Sequence, residues 1–264
     1  MPLANVNGTK LNYCLDGPEQ GTVIMFSNSL ASALPMWDLQ VPPLVAAGYR
    51  VLRYDSRGHG QSEVPEGPYS MEMLTDDALG LMDVLGLEKV HFCGLSMGGM
   101  VGQMLGARHG DRLISLTLSS TAAHMPSPES WDERIKTVRE NGMEAMVDAT
   151  IDRWFTKAGQ ERLAGEAEKI RRLILHTQAD GFCAACAAIQ NMDQRDSIRG
   201  ISTKTLVIVG EEDPGTPVSA AEFIHRRISS SELKVIPDGA HLVNVEQSEV
   251  FNKSLLEFIE ANGA

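Results

Sequence analysis

The chain of 264 residues is poor in positive charge and has no long apolar run. Its 23 lysines and arginines stand against 35 aspartates and glutamates, a formal net charge of −12. Binding nucleic acid requires clustered cations facing phosphates, so this balance argues against nucleic acid as a partner. It does not argue against an anionic small molecule, because one buried arginine can accept a carboxylate. No segment approaches the roughly 18 uninterrupted apolar residues of a membrane span, so no membrane partner is expected. The opening Met1-Pro2-Leu3-Ala4-Asn5 lacks the basic region and apolar run of a signal peptide, and the cytoplasm is the expected location. Cysteines are few and scattered, at positions Cys14, Cys93, Cys183 and Cys186. The C-x-x-C spacing of Cys183 and Cys186 comes without an exposed turn or a second ligand pair. It lies in an alanine-rich helical stretch and reads as small-residue packing. Internal repeats and low-complexity segments are also missing.

What is present is an ordinary globular composition, 43% hydrophobic and 22% charged, long enough for one α/β domain with an insertion. Apolar, β-branched runs alternate with helical periodicity. Lys10 to Leu15 and Thr22 to Ser27 read as the opening strands, joined by the turn Asp16-Gly17-Pro18. Pro35 opens a helical stretch ending near Gly48, and Arg50 to Tyr54 is the next strand. Tyr69 to Leu85 is helical, with Gly86 as its stop. Val90 to Cys93 and Leu113 to Leu118 are further strands. This alternation predicts a mostly parallel sheet with helices on both faces. From about 121 to 197 it gives way to helical periodicity alone. That stretch is too long for a connection and reads as a helical cap inserted into an α/β core of residues 1–120 and 198–264. The core resumes with strands Thr205 to Val209 and Leu233 to Ile236 and helices Val218 to Ile228 and Glu246 to Ala261.

The chemistry gathers around Gly94-Leu95-Ser96-Met97-Gly98-Gly99. A strand leads into this G-x-S-x-G segment, and an apolar helix leads out of it. That is the context of a nucleophile elbow, in which a sharp turn holds the serine hydroxyl up at the end of the sheet. A serine nucleophile needs a base, and the base needs an orienting acid. In this architecture they follow in the order serine, acid, histidine, on loops after strands. His241, in Pro237-Asp238-Gly239-Ala240-His241, follows the last predicted strand. Asp213 follows the strand Thr205 to Val209 and is the candidate acid. Glu211 and Glu212 read as rim charges, and Asp238 lies too near the base in sequence to brace it from across the site. The oxyanion donors are expected to be the backbone N–H groups of Met97, after the nucleophile, and Leu30, in the loop Ser27-Asn28-Ser29-Leu30. Tyr54-Asp55-Ser56-Arg57-Gly58-His59-Gly60-Gln61-Ser62 offers Asp, Arg and His together. Its alternating glycines suit a hydrogen-bonded turn better, with Asp55 and Arg57 as a structural pair.

These segments make the chain resemble the α/β-hydrolase superfamily over nearly its whole length. The general motifs are Tyr54-Asp55-x-Arg57-Gly58-His59-Gly60-x-Ser62, the elbow, and Gly239-x-His241. Four features are more specific. Ser27-Asn28-Ser29-Leu30 stands where most relatives carry His-Gly, and it is joined by Ser120-Thr121-Ala122-Ala123, Arg153-Trp154-Phe155-Thr156 and Thr216-Pro217. They are similar to the 3-oxoadipate enol-lactonases of aromatic-compound degradation. One departure is Pro214-Gly215, where alanines are expected, a change that would reshape one wall of the pocket.

The resemblance implies a carboxylic-ester hydrolase that opens a small lactone, with Ser96 as nucleophile, Asp213 as acid and His241 as base. It implies no organic cofactor and no metal. The expected partner is a small lactone or ester substrate. Arg153 is the expected contact for its carboxylate. Trp154, Trp131 and Met125 are candidate pocket walls, a role that competes with plain packing inside the cap. A carboxylesterase of the same fold is the nearest rival. A hydrolase-fold receptor and a peroxide-using perhydrolase stand further off.

Overall fold

In Val23-Ile24-Met25-Phe26 and Thr205-Leu206-Val207-Ile208-Val209 consecutive residues are apolar, so neither face suits water. Strands of this kind belong inside a sheet covered on both sides. In the computed structural model, which describes residues 2–125 and 127–263, they do. The strands are Leu3–Val6 (β1), Thr9–Asp16 (β2), Val23–Ser27 (β3), Arg50–Tyr54 (β4), Val90–Leu95 (β5), Leu113–Ser119 (β6), Thr205–Gly210 (β7) and Ser231–Ile236 (β8). They form one sheet in the order β1-β2-β4-β3-β5-β6-β7-β8. The β1/β2 and β2/β4 pairs are antiparallel, and every later pair is parallel. Every residue of β3, β5 and β7 is buried. β8 lies at the edge and alternates half-buried with exposed residues over most of its length.

The helices are Val41–Ala46 (α1), Met71–Val84 (α2), Met97–Arg108 (α3), Pro128–Asn141 (α4), Glu144–Trp154 (α5), Lys157–Arg162 (α6), Ala164–Leu175 (α7), Ala179–Gln190 (α8), Val218–Arg227 (α9), Val243–Glu246 (α10) and Ser248–Ala261 (α11). Five of them, α4 to α8, fall between β6 and β7. No helix among the described residues is long and apolar enough to cross a membrane. Cys183 and Cys186 are buried in α8, which packs on α4, and burial raises both thiol pKa values.

Three expectations are corrected. Strand β1 is not apparent from the sequence, because its four residues are too few to display a period. The helix expected from Pro35 to Gly48 is a 3₁₀ turn, Leu34–Trp37, followed by the short α1. Pro42 and Pro43 lack the N–H groups that would carry one helix through. The proposed Asp55–Arg57 pair does not form. Arg57 instead makes a two-pronged ion pair with Asp77 of α2, both bonds at 2.6 Å, and Asp77 raises its pKa. Asp55 turns the other way and accepts from Leu34 N and Asn12 Nδ2, each at 2.7 Å.

His91, near the start of β5, is 1% exposed, and its Nδ1 lies 2.7 Å from Ser115 Oγ. Nε2 has no partner among the described residues, and burial pushes the pKa down to about 4 from 6.5. Between these two values the unfolded chain binds the proton that the folded chain refuses, so stability falls as pH falls through that window. The full effect is on the order of 3 kcal/mol. In urea titrations at pH 7 and pH 4.5, His91→Gln is expected to lose much less stability on acidification than the parent does. An equal loss would show that His91 does not contribute.

Candidate active site

The turn after β5 depends on close backbone approach. A Cβ on Gly94 would collide with the Gly98 carbonyl, and one on Gly98 would collide with the Ser27 carbonyl at the end of β3. Without side chains at these positions α3 starts directly against the sheet. Ser96, between strand and helix, takes φ 57° and ψ −114°, a conformation costing a non-glycine residue about 1–3 kcal/mol. Three hydrogen bonds hold it there. Ser96 N donates to Ser119 O at 2.9 Å, while Ser96 O accepts from Thr121 Oγ1 at 2.8 Å and Met100 N at 3.0 Å.

The loop after β7 carries Asp213, and the loop after β8 carries His241. Both are buried, at 3% and 6% exposure. Asp213 Oδ2 accepts from Thr216 Oγ1 at 2.8 Å and lies 2.9 Å from His241 Nδ1. Its Oδ1 accepts from Gly215 N at 2.9 Å and Thr216 N at 3.0 Å. Pro214-Gly215 thus forms a tight turn that delivers two backbone donors to the acid. Burial alone would raise the carboxyl pKa, but the charge and hydrogen bond of His241 and the Thr216 donors outweigh it and hold the group below 3.8. The stability this confers is complete above that value and is lost as pH falls through the folded value. With Nδ1 on Asp213, the other imidazole nitrogen, Nε2, remains for proton transfer. The Trp154 ring stacks on the imidazole, with centroids 6.2 Å apart and planes at 28°. Asp238 bonds differently: its carbonyl accepts from Gln247 Nε2 at 2.6 Å, and its side chain lines a separate surface groove.

The expected oxyanion donors lie in a tied-down setting. Gly98 N donates to Asn28 O at 2.9 Å, Ser29 N to Met36 Sδ at 3.5 Å, and Ala31 N to His59 Nε2 at 3.2 Å. Leu30 N and Met97 N donate to no protein acceptor among the described residues. Asn28 is itself clamped, accepting from Trp37 Nε1 at 2.9 Å and donating to Tyr54 O at 2.8 Å. The Asp55–Gly60 turn therefore anchors the Leu30 loop, through His59 to Ala31 and through Asp55 to Leu34. His59 is fully buried, and burial lowers its pKa, which keeps Nε2 free to accept.

One cavity, with about 680 Å³ of empty space including its mouth, is bordered by Ser96, His241 and Leu30. Arg153, Trp154, Trp131 and Met125 border it as well, so the structure brings these sequence candidates together. Arg134 of α4 also lines it and was not anticipated. Its guanidinium lies over the Trp131 ring, 4.6 Å from the centroid. Arg153 donates to Thr150 Oγ1 at 3.1 Å. Among the described residues neither arginine has a carboxylate within ion-pair distance. Burial, and then the like charge of Arg134, lower the Arg153 pKa. Two guanidiniums bordering one cavity supply the donor chemistry that pairs with a carboxylate. The only sequence signal for Arg134 was its position three residues after Trp131, one helical turn along.

Asp213→Asn is expected to reduce kcat by roughly 10³- to 10⁴-fold, because the imidazole loses the anion that fixes its tautomer. Asp238→Asn should leave kcat near the parent value. The reverse order in steady-state ester hydrolysis would identify Asp238 as the acid instead.

Residues 30–254 match the model of the alpha/beta hydrolase family. Over 259 residues the chain is 37% identical to 3-oxoadipate enol-lactonase 1 of Acinetobacter baylyi, covering 98% of this chain and 96% of that one. The crystal structure of the enol-lactonase from Burkholderia xenovorans superposes with a TM-score of 0.96 at 41% identity, over 98% of this chain and 100% of that one. A malate-bound thermophilic esterase from Thermogutta terrifontis superposes at 0.94 with 30% identity, over the full length of both chains. With its mostly parallel sheet and its strand–serine–helix turn, the chain belongs to the alpha/beta hydrolase family.

Proposed function

We propose that this hydrolase opens a small lactone bearing a carboxylate, of the 3-oxoadipate enol-lactone type. The observation that carries this reading is the cavity itself. Ser96 and His241 border it together with two arginines that have no carboxylate within ion-pair distance among the described residues. Two relatives that share 37% and 35% of their residues with it bear the enol-lactonase name. Residues 121–197, which contain α4 to α8, serve as the cap, and they supply both arginines and both tryptophans.

His241 Nε2 takes the proton from Ser96 Oγ as the oxygen attacks the ring carbonyl. The resulting oxyanion accepts hydrogen bonds from Leu30 N–H and Met97 N–H. Its collapse breaks the ring C–O bond, and His241 returns the proton to the departing enol oxygen, which tautomerises to a ketone. The acyl group stays on Ser96 with the former leaving group tethered to it. A water molecule gives one proton to His241 and its hydroxide to the acyl carbon; collapse of that intermediate breaks the bond to Ser96 Oγ, which takes the proton back from His241 as the acid is released. Asp213 holds the imidazolium in place throughout. Arg134 and Arg153 bind the substrate carboxylate, while Trp131, Trp154 and Met125 pack on its apolar atoms.

Ser96→Ala should abolish turnover in a folded protein, and substantial hydrolysis by that variant would refute the assignment. Arg134→Ala and Arg153→Ala should each raise KM for the carboxylated lactone by about 10- to 100-fold, the range for a lost charge-assisted bond. KM for a neutral p-nitrophenyl ester should change little. Equal effects on both substrates would remove the arginines from carboxylate binding and favour a general carboxylesterase. A chain inactive on lactones and esters alike would favour a receptor.

A further inference from the structure

Glu246, at the end of α10, is only 1% exposed and takes part in no ion pair among the described residues. The guanidinium near it, on Arg162, donates to the Glu246 backbone carbonyl at 2.9 Å instead. A buried carboxylate without a cation is costly unless hydrogen bonds replace water at its oxygens. Here three donors do so. Oε1 accepts from Thr156 N at 2.9 Å and Thr156 Oγ1 at 2.6 Å, and Oε2 accepts from Ala240 N at 2.7 Å. Only a side chain that accepts at both oxygens satisfies all three. Space is reserved for it as well, since a Cβ on Gly159 would collide with Oε1.

The two ends of this bridge carry its meaning. Ala240 immediately precedes His241. Thr156 lies two residues beyond Trp154, whose ring stacks on the His241 imidazole. On the other side of the histidine, Leu242 N donates to Trp154 O at 3.0 Å. The residues before and after His241 are therefore both fastened to the segment 154–156, one through the Glu246 carboxylate and one through the backbone. Asp213 holds the ring at Nδ1, and Trp154 stacks on its face. The double fastening holds the backbone on both sides of the ring.

We propose that Glu246 is a positioning residue for the hydrolysis: it locks the His241 loop to the helical segment 154–156 and so sets the angle at which Nε2 meets Ser96. This rests on the reading of His241 as the base.

The test is hydrolysis of p-nitrophenyl acetate, which does not depend on the identity of the natural lactone, with kcat expressed per folded molecule counted by near-UV circular dichroism. Glu246→Gln turns one acceptor into a donor that faces another donor. It should reduce kcat by about 10- to 100-fold, the scale of a small misplacement of reacting groups. KM should move by less than about threefold, since no substrate contact is lost. Thr156→Val should give a smaller loss of kcat, and Thr156→Ser, which keeps both donors, should restore it. If Glu246→Gln lowers the melting temperature while kcat per folded molecule stays at the parent value, Glu246 is only a structural strut and the proposal is overturned. Should that variant fail to fold, Thr156→Val decides, and an unchanged kcat there overturns the proposal equally. His241→Ala separates the two levels. Its inactivity beside a fully active Glu246→Gln defeats the clamp alone, whereas its activity defeats the assignment of the base and the clamp together.

Discussion

The close approach of α3 to the end of β3 is the constraint on which the rest of the site depends. Gly98 has no side chain, so the start of α3 sits against the Ser27 carbonyl, and Gly98 N bonds to Asn28 O. That contact brings the loop after β3 and the start of α3 to one point, with the N–H groups of Leu30 and Met97 left over on either side. In the same turn Ser96 takes a positive φ of 57°, and the strain is sustained because β6 holds Ser96 N and Thr121 holds Ser96 O. A methyl group at residue 98 would push the helix away and separate these groups at once.

Around this point the molecule holds polar groups from several directions. The turn after β4 fixes the loop after β3 through His59 and Asp55. The turn after β7 surrounds Asp213 with donors, so the acid stays anionic although buried. The helical segment between β6 and β7 contributes hydrogen bonds through Trp154 and Thr156, and charge through Arg134 and Arg153. Arg134 and Arg153 border the cavity, and among the described residues neither has a carboxylate within ion-pair distance. The proposed nucleophile, acid and base thus lie on the sheet edge and the proposed carboxylate contacts on the helical segment above it, an arrangement in which one fold can serve many esters.

Much of the site was legible because its residues follow strands. Ser96 and Asp213 follow runs of buried apolar residues, His241 follows the edge strand β8, and the parallel sheet brings the carboxyl ends of these strands to one edge. Arg153 and Trp154 were legible through a short segment similar to known enol-lactonases. Arg134 was not. It stands among Asp132, Glu133 and Lys136 on a helix with many solvent-facing charges, and the packing of α4 on α5 and α8 decides which of them looks inward. Asp55 and Arg57 misled for the opposite reason. Their nearness in sequence suggested a pair, while Arg57 found Asp77 twenty residues further along the chain. Glu246 left a faint trace as the one charge closing the stretch Val243-Asn244-Val245.

By itself the sequence determined the alternation of strands and helices, the elbow turn and the order in which Ser96, Asp213 and His241 follow their strands, because these follow from local periodicity and turn chemistry. Tertiary structure decided which charges meet. It gave Arg57 to Asp77, left Arg134 and Arg153 facing one cavity, and set Glu246 between Ala240 and Thr156. Such pairings join residues far apart in the chain, and they depend on the angle at which packed helices and loops present their side chains. No local pattern records that angle.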